Sequence, residues 1–195
     1  MIDGDGKDFD DLLCAMKDAA AALRDGEVPF MLAGGIASWA RGGPPTEHDV
    51  DLMIKPDDVD RAAGVLEQAG FRIERPPEEW LIKAFDDKGC MVDLIFRPVH
   101  TPVDDEMLGR ADELEVQAVS MRVMSADDIL ATKLLALTEH SCDFESVLEV
   151  ARALREQIHW AEVRERTQES AFAKAFFVLV EELGVVQGTG GAEAA

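Results

Sequence analysis

The chain has 195 residues, 47% of them hydrophobic, and a formal net charge of −21 from 40 acidic and 19 basic side chains. This length and apolar content argue against disorder and allow one domain with a core, or a core domain with a helical appendage. Such an acidic field repels nucleic acid at long range, and no cluster of Lys and Arg is dense enough to mark an RNA-binding patch.

The three cysteines, Cys14, Cys90 and Cys142, are odd in number, widely spaced and set in apolar neighbourhoods. They predict buried thiols in a reducing cytosol. The four histidines are scattered, without the spacing of a zinc site. No stretch has the apolar length that spans a bilayer, and the acidic N-terminus lacks the regions of a signal peptide. We therefore expect a soluble cytoplasmic protein without a membrane partner.

The first predicted element is an amphipathic helix. Apolar residues recur at helical spacing over residues 9–23, and Gly26 then ends the pattern. Because this spacing puts the apolar side chains on one face, we expect the helix to pack on a sheet.

Residues 28–54 form the central unit of the chain. An apolar run ends at Gly34 and Gly35, a short amphipathic segment and a Gly/Pro loop follow, and a second apolar run carries Asp49 and Asp51. That order predicts a strand, a glycine turn, a short helix, a loop and a second strand.

The two aspartates of the second strand share one face. A period of two residues places Asp49 and Asp51 on the same side, roughly 6.6 Å apart at about 3.3 Å per residue. This pair does not stabilise a strand, because Asp has a low strand propensity and neighbouring anions repel each other. A compensating cation explains the pair, and grouped oxygen ligands favour Mg²⁺ or Mn²⁺.

The two glycines favour binding of a phosphate at the start of the predicted helix. Gly34 and Gly35 allow a tight turn and leave no side chain over the N-terminus of the following helix. Free N–H groups and the helix dipole favour an anion there, and Ser38, one turn further on, could add a hydroxyl. A Gly-Gly pair alone is more often only a turn. Joined to the aspartate pair after thirteen intervening residues, it indicates a nucleotide site.

The combination of a hydrophobic residue, Gly34-Gly35, this spacer and the sequence DVDL at residues 49–52 resembles the signature of the nucleotidyltransferase superfamily. Within it, the chain most resembles the small bacterial nucleotidyltransferases grouped with the AbiEii toxins of toxin–antitoxin and phage-defence systems. The resemblance extends over residues 8–185. It implies the polymerase-beta-like fold and a metal-dependent transfer of a nucleoside monophosphate from an NTP to an acceptor hydroxyl, with release of pyrophosphate.

A third carboxylate lies further along the chain. After a predicted helix and a short strand, residues 80–85 and 90–96 predict the two strands of a hairpin, and Asp93 interrupts the second. From the residues alone, Asp93 is either exposed at a sheet edge or held for a purpose. The superfamily places a third carboxylate beside the first pair, so the resemblance implies that Asp93 completes the metal cluster and could accept the acceptor's proton.

Residues 98–118 are polar and predict a loop with a short helix, and residues 115–124 predict a strand or hairpin. Ser125 is then a good N-cap for a helix over residues 129–138, which is apolar nearly all round yet carries Lys133. Its ammonium must either snorkel to water or meet a fixed anion. Related nucleotidyltransferases have a lysine here, and the resemblance implies that Lys133 contacts the triphosphate.

Three further helices are predicted, over residues 144–158, 160–167 and 171–183. Their aromatic residues recur at core spacing and indicate packing rather than a platform for bases. AbiEii-like proteins often carry a Lys-Asp pair before the first of these helices, where this chain has Cys142-Asp143. Only the aspartate matches, so the acceptor site is expected to differ from that of the toxins.

The sequence thus predicts an α/β nucleotidyltransferase fold, with a small mixed β-sheet flanked by helices and a C-terminal helical bundle. We expect a catalytic core over residues 1–124, a helical region packed on it over residues 125–186, and a flexible Gly/Ala tail over residues 187–195.

The expected partners are an NTP and an acceptor that is tRNA, a small molecule or a protein, and the resemblance adds an antitoxin protein. Two alternatives stay open. An antibiotic-modifying nucleotidyltransferase would suit the net charge of −21, because an acidic cleft favours a cationic acceptor. An inactive nucleotide-binding or antitoxin-binding module would use the helical C-terminal half for protein contacts.

Overall fold

The computed structural model describes residues 8–46 and 49–186. Within these ranges seven strands form one mixed sheet: β1 (Phe30–Ala33), β2 (Val50–Ile54), β3 (Arg72–Glu74), β4 (Leu81–Phe85), β5 (Met91–Ile95), β6 (Asp112–Val116) and β7 (Val119–Val123). The α-helices are α1 (Phe9–Asp25), α2 (Gly34–Ala40), α3 (Val59–Gln68), α4 (Asp105–Gly109), α5 (Ala126–Ala136), α6 (Phe144–Ala153), α7 (Trp160–Arg166) and α8 (Ala171–Glu182). The predicted fold class, a mixed sheet with flanking helices followed by a helical region, is confirmed.

The strand order across the sheet is β3-β4-β5-β2-β1-β7-β6. The central strand β2 pairs antiparallel with β1 and parallel with β5, while β4 and β5 form the predicted antiparallel hairpin. In β2, Val50, Leu52 and Ile54 are fully buried. These residues therefore anchor the strand in the core, while Asp51 occupies an alternate position and Asp49 precedes the strand.

The chain divides into two compact units, the first made of Met1–Ala40 and Pro45–Ser125, the second of Arg41–Pro44 and Ala126–Ala195. In the first unit, α1 contacts α3 and the strands β2 and β5. Its buried face is the one predicted from helical spacing: Leu12, Leu13, Ala15, Met16, Ala19, Ala20 and Leu23.

The second unit is a small helical bundle centred on α5, which contacts α6, α7 and α8. Phe176 is fully buried, and its ring lies 5.8 Å from that of Phe144. The buried carboxylate of Asp128 accepts a hydrogen bond from Arg166, which ties α5 to the end of α7. The aromatic residues of this unit pack as the sequence predicts.

Two predicted element boundaries differ from the structure, one in the segment after the β4–β5 hairpin and one in the C-terminal helices. Strand β6 occupies Asp112–Val116 and so begins three residues before the predicted strand or hairpin over residues 115–124, in a segment expected to be a loop. It pairs with β7 across the turn residues Gln117 and Ala118. Its sequence DELEV is mostly polar because β6 lies at the sheet edge, so the hydrophobic signal is weak. Helix α6 ends at Ala153, although periodicity predicts a helix to residue 158.

The prediction of three buried thiols is wrong for two of them. Cys90 is buried, whereas Cys14 and Cys142 are exposed free thiols. Cys14 lies on the outer side of α1. The prediction failed because apolar neighbours in sequence do not decide which side of a helix a residue occupies. The predicted tail over residues 187–195 lies outside the described residues. Among the helices of the described ranges, none has the length and apolar character needed to cross a membrane.

Candidate active site

Three charged residues lie level with one another on three neighbouring strands. The parallel pairing of β2 and β5 places Asp51 directly opposite Asp93, and the antiparallel pairing of β4 and β5 places Asp93 opposite Lys83. Residues in direct register on adjacent strands project from the same face of a sheet. One row of side chains therefore runs from Lys83 through Asp93 to Asp51.

Asp49 joins this row from the residue before β2. Asp49, Asp51 and Asp93 each offer a carboxylate oxygen, and these oxygens all lie within 4.8 Å of one another. Asp49 and Asp51 are half-buried, whereas Asp93 is 6% exposed. Clustered carboxylates that keep partial access to solvent match the oxygen ligands that Mg²⁺ and Mn²⁺ prefer, so the cluster fits the metal expected from the sequence.

Lys83 is a site residue that the sequence analysis missed. Its Nζ lies 3.1 Å from Asp93 Oδ1 and 3.3 Å from Oδ2, and 3.2 Å from Met91 Sδ. A signal was present, because a lysine in the apolar strand LIKAF faces an aspartate in MVDLI once the hairpin is aligned. Periodicity within either strand alone does not reveal that alignment.

The pKa of Asp93 reflects its place between these groups. Burial raises the pKa of this carboxyl above its ordinary value, the hydrogen bond and positive charge of Lys83 lower it, and the charge of Asp49 raises it again. The balance is a raised pKa, so burial outweighs the single lysine. A carboxylate in such a setting accepts a proton more readily than an exposed one.

Gly34 and Gly35 each allow another side chain to approach the backbone closely, Asp51 at Gly34 and Thr46 at Gly35. Ala33 lies opposite Asp51, so the chain turns into α2 directly beside that carboxylate. A Cβ placed on Gly34 would lie 2.6 Å from Asp51 Cγ and overlap Oδ2, and Gly34 has a φ of +60°. A Cβ on Gly35 would lie 2.7 Å from Thr46 Oγ1. The helix begins at Gly34 itself, two residues earlier than the sequence predicts.

Ser38 lies one turn into α2 and is only 2% exposed. Its Oγ is buried without a hydrogen-bond partner among the described residues. A buried hydroxyl without a partner carries an unfavourable desolvation cost. Ser38 is therefore buried, whereas Gly34 and Gly35, at the start of the same helix, are half-buried.

Lys133 belongs to the second unit, in α5, and is half-buried. Within the described part of the chain, no carboxylate lies within the 4.0 Å that defines an ion pair with it. Asp143 caps α6 by accepting hydrogen bonds from the backbone N–H groups of Glu145 and Ser146, at 3.1 and 3.2 Å. The hydrogen bonds from Ser146 lower the pKa of Asp143, and the charge of Lys133 contributes to the same shift.

Comparisons with known proteins identify the family and the fold of the chain. Residues 15–181 match the model of a family described as uncharacterised nucleotidyltransferase. No curated protein matches the chain.

Solved structures share the fold at low identity. The antibiotic-resistance factor ANT(2'')-Ia is 16% identical with a TM-score of 0.59, covering 88% of this chain and 96% of its own. A nucleotidyltransferase-like structure from Thermotoga maritima is 16% identical, with a TM-score of 0.53 and coverage of 81% and 97%. The lincosamide antibiotic adenylyltransferase LnuA is 16% identical, with a TM-score of 0.50 and coverage of 69% and 93%.

These structures establish the fold, and the family model establishes the relationship over most of the sequence. The clustered aspartates and the glycine turn lie inside the matched residues. The chain therefore belongs to the family described as uncharacterised nucleotidyltransferase, and the protein is a transferase with the nucleotidyltransferase fold.

Proposed function

We propose that the protein is a metal-dependent nucleotidyltransferase that moves a nucleoside monophosphate from an NTP to an acceptor hydroxyl and releases pyrophosphate. The observation that carries this proposal is the convergence of Asp49, Asp51 and Asp93 within 4.8 Å, beside the Gly34 turn. Three such carboxylates repel one another unless a cation or protons compensate them. Their oxygen donors favour Mg²⁺ or Mn²⁺ as that cation.

Each acidic residue has a role in the proposed mechanism. Asp49, Asp51 and Asp93 hold the divalent cation, which when bound neutralises charge on the phosphates. The acceptor oxygen bonds to the α-phosphorus of the NTP, and the bond between that phosphorus and the pyrophosphate oxygen breaks. Asp93 accepts the hydroxyl proton, a role that its raised pKa favours. Catalysis then depends on positioning and electrostatics rather than on a covalent intermediate with the protein.

The remaining predicted residues serve the nucleotide. Gly34 and Gly35 leave no side chain over the N-terminus of α2, so the N–H groups there can donate to phosphate oxygens. Ser38 adds its hydroxyl, which has no partner among the described residues. Lys133 supplies a positive charge to the triphosphate, supported by its lack of a carboxylate partner within 4.0 Å in the described residues. We retain the division into a catalytic core over residues 1–124 and a helical region over residues 125–186.

Two classes of acceptor follow from different observations. The resemblance to AbiEii toxins keeps tRNA or a protein open as acceptor, with an antitoxin as partner, although Cys142 stands where the toxins often carry a lysine. The fold neighbours favour an antibiotic, since ANT(2'')-Ia has been solved with adenylyl-2''-tobramycin and LnuA with lincomycin. The net charge of −21 also suits a cationic small molecule better than RNA. A cytoplasmic location, where NTPs and reducing conditions prevail, is part of the proposal and is supported by the exposed free thiols.

Transfer of a labelled nucleotide tests the activity and the acceptor together. The protein is incubated with each of the four α-labelled NTPs, Mg²⁺ or Mn²⁺, and either total tRNA, tobramycin or lincomycin. We expect labelled acceptor and pyrophosphate with the wild type, and neither with the double variant Asp49→Asn, Asp51→Asn. Calorimetric NTP binding by both proteins completes the test. Binding without transfer to any acceptor would instead favour the inactive nucleotide-binding module.

A further inference from the structure

Lys83 brings a fixed positive charge to the edge of the carboxylate cluster. It is directly opposite Asp93 on the neighbouring strand, with Nζ within 3.3 Å of both carboxylate oxygens. The Lys83 side chain is 27% exposed and that of Asp93 is 8% exposed. The pair is therefore partly shielded from bulk solvent, and its interaction is stronger than that of a fully exposed ion pair.

The charges of the cluster can be counted. Asp49, Asp51 and Asp93 together carry three negative charges when ionised, and Lys83 reduces the total to two. Without the lysine, the same three carboxylates would attract a divalent cation more strongly, because one opposing positive charge would be absent.

The hairpin also orients Asp93. Lys83 Nζ approaches both of its oxygens from the β4 side, while Asp51 lies on the β2 side. The contact of Nζ with Met91 Sδ, at 3.2 Å, limits the positions that the ammonium can adopt. The carboxylate plane of Asp93 is thus fixed from one side before any ligand binds.

We propose that Lys83 is a positioning residue that fixes the Asp93 carboxylate and acts as a built-in counter-charge, weakening divalent-cation binding by the nucleotide-free protein. The inference rests on the proposed function, because it assumes that the three aspartates hold the metal. Lys83 has no direct role in bond making or breaking. Its effect on the reaction passes through Asp93.

Mn²⁺ binding to the nucleotide-free protein at pH 8 tests the counter-charge directly, by calorimetry and by the paramagnetic signal of free Mn²⁺. Lys83→Met removes the charge and keeps the apolar stem. We expect its Kd for Mn²⁺ to be about tenfold lower than that of the wild type, as for removal of one nearby like charge in a partly solvated site. Lys83→Arg keeps the charge and should bind Mn²⁺ like the wild type.

A second variant covers the case in which Lys83→Met fails to fold. Lys83→Gln removes the charge but can still donate a hydrogen bond to Asp93, and it should show the same tighter Mn²⁺ binding. Lys88→Met is the matched control, because Lys88 lies in the same hairpin but pairs with Asp11 on α1. Its Kd for Mn²⁺ should equal that of the wild type.

Kinetics provide the second readout. At saturating Mn²⁺, Lys83→Met should lower kcat by about tenfold or more with little change in the KM for NTP, since Asp93 loses its orienting hydrogen bond while the phosphate contacts remain. Lys83→Arg should restore most of kcat.

The results that would overturn the inference can be told apart from failure of the proposed function. If Lys83→Met and Lys83→Gln melt at lower temperature but bind Mn²⁺ with the wild-type Kd, Lys83 is only a structural ion pair. If the wild type itself binds no Mn²⁺, the metal-dependent function fails and the role of Lys83 fails with it. If the wild type binds Mn²⁺ and the Lys83 variants bind it more weakly, Lys83 is not a counter-charge, while the proposed function stands.

Discussion

Gly34 lies directly against the carboxylate of Asp51. A Cβ at position 34 would overlap Asp51 Oδ2 and would lie 2.6 Å from Cγ. The close approach arises because Ala33 is in register with Asp51 and the chain enters α2 at the next residue, with a φ of +60°. The glycine turn and the aspartate strand, which are separate motifs in the sequence, form a single structural unit.

Gly34→Ala should damage both the backbone and the metal cluster. The positive φ costs a non-glycine residue roughly 1–2 kcal/mol, and the added methyl group forces the Asp51 carboxylate to move. We expect a lower melting temperature and a loss of Mn²⁺ binding, measured by calorimetry. Gly70→Ala is the control, since Gly70 also has a positive φ, of +96°, with nothing within 4 Å of its Cβ position. If both variants bind Mn²⁺ equally well, the contact with Asp51 has no role in the site.

Asp49→Asn combined with Asp51→Asn should leave the fold intact and stabilise the metal-free protein. The carboxylates of the cluster repel one another when no cation is bound, and the amides remove two of the three negative charges. Thermal melting in the presence of a chelator should show an equal or higher midpoint, while added Mn²⁺ should stabilise only the wild type. Unfolding of the double variant, together with absence of Mn²⁺ binding by the wild type, would make the pair structural.

Ser38→Ala separates folding from nucleotide binding. Because Ser38 Oγ is buried without a partner among the described residues, its removal should preserve or raise stability, by about 1 kcal/mol if the desolvation cost is relieved. If the hydroxyl serves the phosphates, NTP affinity should fall by roughly tenfold, the value of about one hydrogen bond. Ser170→Ala is the contrasting control, because Ser170 caps α8 by accepting from Ala173 N at 3.2 Å and its loss should lower the melting temperature.

Lys133→Met tests the charge near the triphosphate. No carboxylate partner lies within 4.0 Å among the described residues, so the apolar replacement should hold or raise stability. NTP affinity or turnover should fall by roughly one to three powers of ten, as for loss of a charge-assisted phosphate contact worth about 1.5–4 kcal/mol. Lys174→Met, an exposed lysine of α8, should change neither. Unchanged melting temperature and unchanged NTP binding for Lys133→Met would show that its ammonium only reaches solvent.

His159 should make stability depend on pH. Its Nδ1 lies 2.8 Å from Asp127 Oδ2, and its backbone N–H donates to Oδ1 at 2.7 Å. The hydrogen bond and charge of Asp127, with a contribution from Glu162, raise the pKa of His159. Its stabilising contribution is therefore present in full below the unfolded-state pKa of about 6.5 and is lost as pH rises through the higher folded-state pKa.

Melting temperatures of the wild type and His159→Gln at pH 5.5 and pH 9 measure this effect. The difference between the two proteins should be larger at pH 5.5 and should shrink at pH 9. His140→Gln provides the control, since the His140 side chain is 88% exposed and the carboxylate beside it, Glu139, is exposed as well. A difference that stays constant with pH would mean that the imidazolium charge of His159 adds nothing to stability.

Local patterns in the sequence determine much of this protein. Alternation identifies the strands of Asp51 and Asp93, helical spacing identifies the buried face of α1, and Gly34 marks the turn into α2. These signals are local because each depends on the backbone period of one element. The first residues of the polar edge strand β6 give no such signal, because an exposed edge does not require apolar alternation.

Only the tertiary structure decides which strands are neighbours. Asp51 and Asp93 meet because β2 and β5, far apart in the chain, pair in parallel with these two residues in register. The same sheet order places Lys83 against Asp93, and the register of β1 with β2 places Gly34 against Asp51. Strand order and register depend on burial of the whole sheet, so they are not encoded in the period of any single segment.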